Sequence, residues 1–429
     1  MVRNNPIAAT ARNKTVATSG CIRVKWHTKD GSIHTEMQEL WDEFYANPSI
    51  DNFGNGDTLQ ATLKSERFEV GEALARMVVV KKGNSNRIPL KLQVIGSEYL
   101  DIAYIGSPAD ATLTRYGITF DKATKSIPEV YNFFQDGYFG INSNVSNYPR
   151  VSVPANNILH MFERKRSNQW RGIPTLAAVL IALYEIEDLC TATVLSQTSA
   201  SAISWIIDEI PNSLTTDPAG VATYSGKNSA SDKVKQLSFS HTGGAAQYVE
   251  GGGKFKLVQS RDIGTNLVTL FREEYQKIAS ALNIPYYKLS GDTSGLDFSS
   301  LRGILTEQRS YIEWEYNVVD IPTLFAPLCK KFKEIAIALG YSVTDAVPIM
   351  QRPRWYGVDD LKDFQAYLLA VASGFMPLQA VWELLGYDQT QIERSLTLLK
   401  EMGLENLINT GQPDPAMNNG APTNRTTGS

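Results

Sequence analysis

Two long stretches of helical periodicity, parted by a short polar interruption, constrain this chain more than any other feature. Asn266–Leu282 sets Leu267, Leu270, Phe271, Tyr275, Ile278 and Leu282 at helical spacing. Leu301–Gly340 extends helical character over a stretch that would be about 60 Å long if straight, at 1.5 Å per residue. Between them, Leu289–Ser300 carries Ser290, Gly291, Asp292, Thr293, Ser294, Gly295 and Asp297, a composition that favours a turn over a continuous helix. Two plain helices joined by such a tip make a protruding finger built for contact, and they do not resemble an enzyme core.

At 429 residues the chain is long enough for two or three packed units. A formal net charge of −4 speaks against a protein that grips phosphates tightly, though not against one past which DNA must slide. Cys21, Cys190 and Cys329 are odd in number and far apart, so no disulfide framework or paired-cysteine zinc site is expected, and a reducing compartment fits. The N-terminus has no apolar core of a signal peptide. Leu189–Ile207 is free of charge for 19 residues, but its many Ser and Thr residues make it a poor membrane span, and no membrane partner is expected.

Along the chain, residues 1–160 read as mixed helix and sheet. Helices are expected over Glu36–Tyr45 and Thr58–Glu69, and strands over Ala75–Val80 and Leu90–Ile95 around the turn-rich Lys82–Arg87. Further strands are expected near Gly117–Phe120, Val130–Phe134 and Ile158–Phe162. A helix starts at Ile173-Pro174, with proline in the first turn, and runs to about Ala200. Residues 210–254 turn to Gly, Ser, Thr, Ala and Asn, with Gly243-Gly244 and Gly251–Gly253, and read as a small β-rich or partly mobile module. Pro322 and Pro327 should each end or kink the long second helix, and 345–357 looks extended. Three short helices close the chain. Asp359 and Gly374 bound the first, Pro377 and Gly386 the second, and a capping box of Asp388 and Gln391 opens the third, which stops at Gly403. The tail from Asn409 reads as disordered.

Catalytic constellations are missing from the sequence. Gly226-Lys227 and Gly253-Lys254 have neither the upstream glycine nor the following hydroxyl of a nucleotide-binding loop, which speaks against an ATP-driven motor, and no nucleophile elbow occurs. His27, His34, His160 and His241 have no metal-ligand spacing. His160, inside an apolar strand, reads as a structural histidine, and the carboxylate groups Glu185, Glu187, Asp188 and Glu273-Glu274 read as solvated or subunit-facing stripes. No catalytic residue, metal or cofactor is assigned.

Arg166, Gln169, Arg171, Gly172 and Pro174 form the pattern Arg-x-x-Gln-x-Arg-Gly-Ile-Pro just before a helix. With it the chain resembles the lambda-type portal, or head–tail connector, proteins of tailed bacteriophages. Asn283 to Tyr286, with Pro285, then Leu289-Ser290 and Asp292, is similar to that family's Gly-Val-Pro-Tyr-x-x-Leu-Ser-x-Asp stretch. Phe298-Ser299-Ser300 with Arg302 is similar to its Tyr/Phe-Ser-Ser-x-Arg run. The opening Arg3-Asn4-Asn5-Pro6 with Ala8, and Trp355 before Val358 to Lys362, fall in the family's order. Ser167-Asn168 stands where the family usually has Pro-Gly, and Asp360 where it favours Pro.

The resemblance implies an α+β portal fold: an α/β wing (1–172), a stem helix (173–200), a small β-rich clip (201–259), a second stem helix (260–288), a tunnel loop (289–300), the rest of the wing as a long kinked helix and return strand (301–358), a C-terminal helical crown (359–408) and a disordered tail (409–429). It also implies a homo-oligomeric ring, usually of twelve copies, at one capsid vertex in the virion, assembled in the host cytoplasm. Such a ring conducts double-stranded DNA without sequence preference during packaging and ejection. Its partners are the terminase motor, head–tail connector or adaptor proteins and the major capsid or scaffold protein. The charges of Lys288, Asp292, Asp297 and Arg302 cancel, as a loop past which DNA slides requires. Two alternatives stay open: a capsid-internal or tail-adaptor protein without a through-channel, and a hydrolase using carboxylates such as Asp292 and Asp297.

Overall fold

The computed structural model describes residues 2–80, 86–104, 113–134, 150–202, 205–209, 254–257, 265–353, 355, 360–377, 380–382 and 389–402. The chain divides into two compact units, residues 1–178 with 282–429, and residues 179–281.

The first unit opens with α1 (Pro6–Ser19), which the sequence did not announce. Asn5 caps it by accepting the backbone N–H groups of Ile7 and Ala8, each at 3.0 Å. There follow β1 (Arg23–His27), α2 (Thr35–Ala46), α3 (Gly56–Val70), β2 (Glu72–Val79) and β3 (Leu90–Ile95), then β4 (Leu113–Arg115), β5 (Ile118–Phe120), β6 (Pro128–Phe134), β7 (Arg150–Pro154) and β8 (Ile158–Phe162). Strands β3-β2-β8 form one antiparallel sheet and β4-β5-β6-β7 another. Strand β1 pairs antiparallel with β11 (Val347–Gln351), more than 300 residues away in the chain, with Trp26 opposite Pro348. With every ladder among the described residues antiparallel, the class is α+β, as expected.

Apolar periodicity explains the main core. The inner face of α2 supplies Met37, Leu40, Trp41 and Phe44, which meet Trp26 of β1 and Phe332 of α8 (Ala326–Ala338). Trp41 and Phe332 meet edge to face with ring centroids 5.0 Å apart, and Phe44 lies 5.3 Å from both. Burial of each such ring stabilises by about 2 kcal/mol or more. A second cluster, including Leu74, Leu100, Phe120, Tyr131 and Phe133, fills the space under the four-stranded sheet.

The second unit consists, among the described residues, of α4 (Leu180–Ala202), α5 (Thr265–Ala281) packed on it, and the antiparallel pair β9 (Trp205–Glu209) and β10 (Lys254–Leu257). The segment 210–253, with Gly243-Gly244 and Gly251–Gly253, on which the expected small module rests, lies outside the described residues.

Several sequence expectations need correction. The first long helix does not start at Ile173; Thr175–Ala178 is a 3-10 turn and α-winding begins at Leu180. The second ends at Ala281, not near 288. Asn283 adopts φ +54°, and Pro285 restarts the chain as the short α6 (Tyr286–Ser290). The helix after the loop begins at Phe298, not Leu301, so α7 spans Phe298–Glu315 and the loop proper shrinks to 291–297. Neither Pro322 nor Pro327 ends it. Residues Tyr316–Phe325 continue in π-winding with Pro322 inside, and Pro327 sits in the first turn of α8, where it leaves no needed donor missing. Burial of Tyr316, Val319, Asp320, Leu324 and Phe325 on one side of the π-segment outweighs the local preference of proline to break.

Toward the C-terminus, α9 (Asp360–Ala372) ends as expected at Gly374, which takes φ +73°. The closing helix is Gln389–Glu401. The turn at 81–85, the capping residues Asp359 and Asp388, Gly386, Gly403 and the tail from Asn409 lie outside the described residues.

Candidate functional site

The loop at 291–297 is exposed along most of its length, and its charges are already committed within the chain. Gly291 (φ +76°) and Gly295 (φ +76°) make its two turns. Asp292 accepts the Ser294 N–H at 2.9 Å, with the Tyr286 hydroxyl 3.5 Å away. Asp297 caps α7 by accepting the Ser300 N–H at 2.7 Å, and hydrogen bonding from the Ser300 side chain, then from its backbone, draws the carboxyl below its usual range. On the flanks, Lys288 donates to Gln308 Oε1 at 2.6 Å, and Arg302 pairs with Asp363 of α9 at 3.1 Å. Ser290 donates to the Tyr286 carbonyl and accepts the Asp292 N–H, so it belongs to the turn. Thr293 and Ser299 are exposed.

Arg166, Gln169, Arg171, Gly172 and Pro174 assemble elsewhere, around a residue that sequence reasoning passed over, Glu72. Gln169 ties its own turn: its Oε1 accepts the N–H groups of Lys165 and Arg166, and its Nε2 donates to the carbonyls of Glu163 and Arg171. Arg171 then reaches Glu72 through Nε at 2.7 Å, and the Gly172 N–H donates to the other oxygen of the same carboxylate at 2.8 Å. His160 Nε2 lies 3.1 Å from that second oxygen, while Nδ1 lies 3.2 Å from the Tyr131 hydroxyl. Burial holds His160 below its ordinary value, so the neutral ring donates Nε2–H to Glu72 and accepts from Tyr131. Burial alone would raise Glu72, but the bonds from His160 and Arg171 outweigh it and pull its pKa down to about 2.

Gly172 is required by space. A Cβ there would stand 2.0 Å from the Gly71 carbonyl oxygen, and one on Gly71 would stand 2.3 Å from the Ile173 carbonyl carbon. The Arg-Gly-x-Pro pattern thus records a backbone crossing at the end of α3, locked by Glu72, and its role is structural. Asn283 likewise occupies the left-handed region, the conformation that the family's glycine at that place supplies without strain. Pro285 precedes α6, and its carbonyl accepts the Lys288 N–H at 2.9 Å. Trp355 packs at the edge of the main core with the Arg309 guanidinium 5.9 Å from its ring centroid.

The sequence also concealed a buried charge set between α3 and the π-segment. Lys64 Nζ lies 3.4 Å from Asp320 Oδ2 and donates to the Gly20 carbonyl at 2.7 Å; Arg67 pairs with Glu315, one π-turn before Asp320. Asp320 Oδ1 and Arg67 Nε have no partner among the described residues. Burial raises Asp320 despite Lys64 and Arg67. No carboxylate or histidine group of three that could hold a metal ion occurs among the described residues. His27 bonds the Gly31 carbonyl and His34 accepts the Met37 N–H at the start of α2. No helix among the described residues is long and apolar enough to cross a membrane.

Helix α4 carries apolar residues on more than one side, with Glu185, Glu187 and Asp188 interspersed. Leu183 and Ile186 are buried, while Ile181, Tyr184 and Leu195, on the opposite side at about 100° per residue, are 74 %, 56 % and 61 % exposed. Large apolar side chains exposed on that side favour a surface that covers them.

Comparison with known proteins bears on this arrangement. A profile of the family described as "Phage portal protein, lambda family" matches residues 1–315. A "Probable portal protein" of Halomonas phage phiHAP-1 is 22 % identical over 342 residues, 77 % of this chain and 64 % of that protein's length. Among solved structures, a chain of the "Neck of native GTA particle computed with C12 symmetry" is similar over 90 % of this chain and 91 % of its own length, with TM-score 0.51 and 13 % identity. The crystal structure of an HK97-family phage portal protein from Corynebacterium diphtheriae matches 74 % of this chain and 88 % of its own length at 12 % identity, with TM-score 0.36.

Proposed function

This chain belongs to the lambda family of phage portal proteins, and from that membership we propose that it closes into a ring of twelve at one vertex of the capsid and conducts double-stranded DNA during packaging and ejection. The observation that carries the proposal is the second apolar face of α4, with Ile181, Tyr184 and Leu195 exposed in a single subunit. Neighbouring copies in a ring would cover it, at a gain of about 25 cal/mol per Å2 of apolar surface removed from water. The number twelve follows the symmetry of the neck whose fold the chain shares.

In this reading the loop 289–300 faces the DNA. With the flanking Lys288 and Arg302 its charges sum to zero, and they are engaged by Ser294, Ser300, Gln308 and Asp363, so it offers no free cation to trap a phosphate. The segment 201–259 serves as the clip that docks the terminase motor and later the head–tail connector, residues 1–172 and 301–358 form the wing that meets the major capsid or scaffold protein, and 359–408 form the crown. Assembly takes place in the host cytoplasm and the ring ends in the virion. Asp292 and Asp297 act as acceptors for a turn and a helix cap, and the proposal gives them no bond-making role.

Sedimentation velocity of the purified full chain, with negative-stain imaging, tests this. A particle of about twelve times 47.5 kDa with a central hole is expected. A monomer or dimer at micromolar concentration would overturn the ring, and a ring without a hole would point to an adaptor.

A further inference from the structure

A recess of about 300 Å3 opens on the first unit between the Ile127-Pro128 edge of β6 and Trp170. Its walls are Ile127, Pro128, Tyr131, Phe162 and Trp170, with Arg164 at the mouth. The Tyr131 hydroxyl is engaged by His160, and Trp170 is held against Phe120 with centroids 4.6 Å apart, so the lining is preformed. Ile127 at the rim is 58 % exposed.

Two guanidinium groups stand beside the recess. The Arg164 guanidinium lies 4.7 Å from the Trp170 ring centroid and makes no ion pair or side-chain hydrogen bond among the described residues. Arg166, two residues on, is exposed and likewise has none. Lys165 is offset by Glu163 at 3.5 Å. Both arginines ride on the turn that Gln169 ties at four backbone points, so little ordering remains when they bind. In a chain with net charge −4, two guanidinium groups with no ion pair among the described residues, on a fixed turn beside an aromatic recess, are a specific complement to carboxylates.

We propose that this recess docks an acidic segment of a partner protein, seating one large apolar side chain between Ile127 and Trp170 with flanking carboxylates on Arg164 and Arg166. A nucleic acid fits less well. Strand tracking needs a row of cations, and of these only Arg164 lines the recess, with Arg166 two residues on. The recess lies within one chain, so the proposal stands or falls apart from the ring.

The test is fluorescence anisotropy of the full chain with a labelled peptide carrying one central tryptophan flanked by aspartates. Saturable binding is expected, weakened about tenfold or more by Arg164→Glu, the loss of one charge-assisted contact and its reversal. Ile127→Asp at the exposed rim should weaken it comparably, with both variants keeping the parent's urea midpoint. The proposal is overturned by absence of saturable binding, by equal binding of a lysine-flanked peptide, or by indifference to Arg164→Glu. It is also overturned if an oligothymidylate displaces the peptide from this site, which would make the site one for nucleic acid, or if Arg164→Glu changes the sedimenting species, which would make the occupant a second copy.

Discussion

Glu72 explains why a short pattern in this chain looks as it does. One buried carboxylate accepts from Arg171, from the Gly172 backbone and from His160, and so fixes a crossing that only two facing glycines permit. Gly172→Ala should therefore destabilise by about 2 kcal/mol or more, since its Cβ meets backbone and not a flexible side chain; a lowered urea midpoint with unchanged slope would register this. The same carboxylate sets an acid limit. Its folded pKa, about 2, lies below the ordinary 4.5, so its contribution of about 3 kcal/mol is complete above pH 4.5 and drains away as pH falls toward 2. Burial depresses His160 below its ordinary 6.5, which adds a loss of the same sign as pH falls through that value. Urea midpoints measured down the pH scale should fall first below 6.5 and again below 4.5, and Glu72→Gln should flatten the second limb.

At the scale of elements, the long helix from Phe298 to Ala338 survives two prolines because its middle turn is anchored by buried groups. Lys64 and Arg67 of α3 meet Asp320 and Glu315, and Lys64 lies 5.1 Å from the Tyr316 ring centroid. Removing one partner leaves the other charged in a dry place. Lys64→Met should cost about 3 kcal/mol in denaturant unfolding, and adding Asp320→Leu should restore most of it, because an apolar pair avoids the desolvation of both ions. A double variant as unstable as the single one would mean that the π-winding itself needs the ions.

At the scale of the whole molecule, the proposed ring makes the exposed side of α4 the place to test. Ile181 and Leu195 stand opposite the buried stripe of α4, so Ile181→Asp with Leu195→Asp should leave secondary structure and the first unit's unfolding transition unchanged. The same pair should shift the sedimenting species from the ring to a subunit of 47.5 kDa. Circular dichroism and sedimentation on one sample separate the two effects.

The sequence by itself determined the helices and strands whose apolar residues recur at 3.6 or 2, such as α2, α3, β3 and β8, because a local period already specifies which face must leave water. It also carried the family, through short ordered patterns in which glycine and proline answer to backbone geometry. Only the tertiary structure decided where Glu72, Lys64 and Asp320 go, since a lone charged residue in a helix or strand reads as solvated until its partner arrives from far along the chain. The start of α4 at Leu180 and the passage through Pro322 were settled in the same way. Local breaking preferences are worth a few kcal/mol, and packing against distant elements decides when they yield.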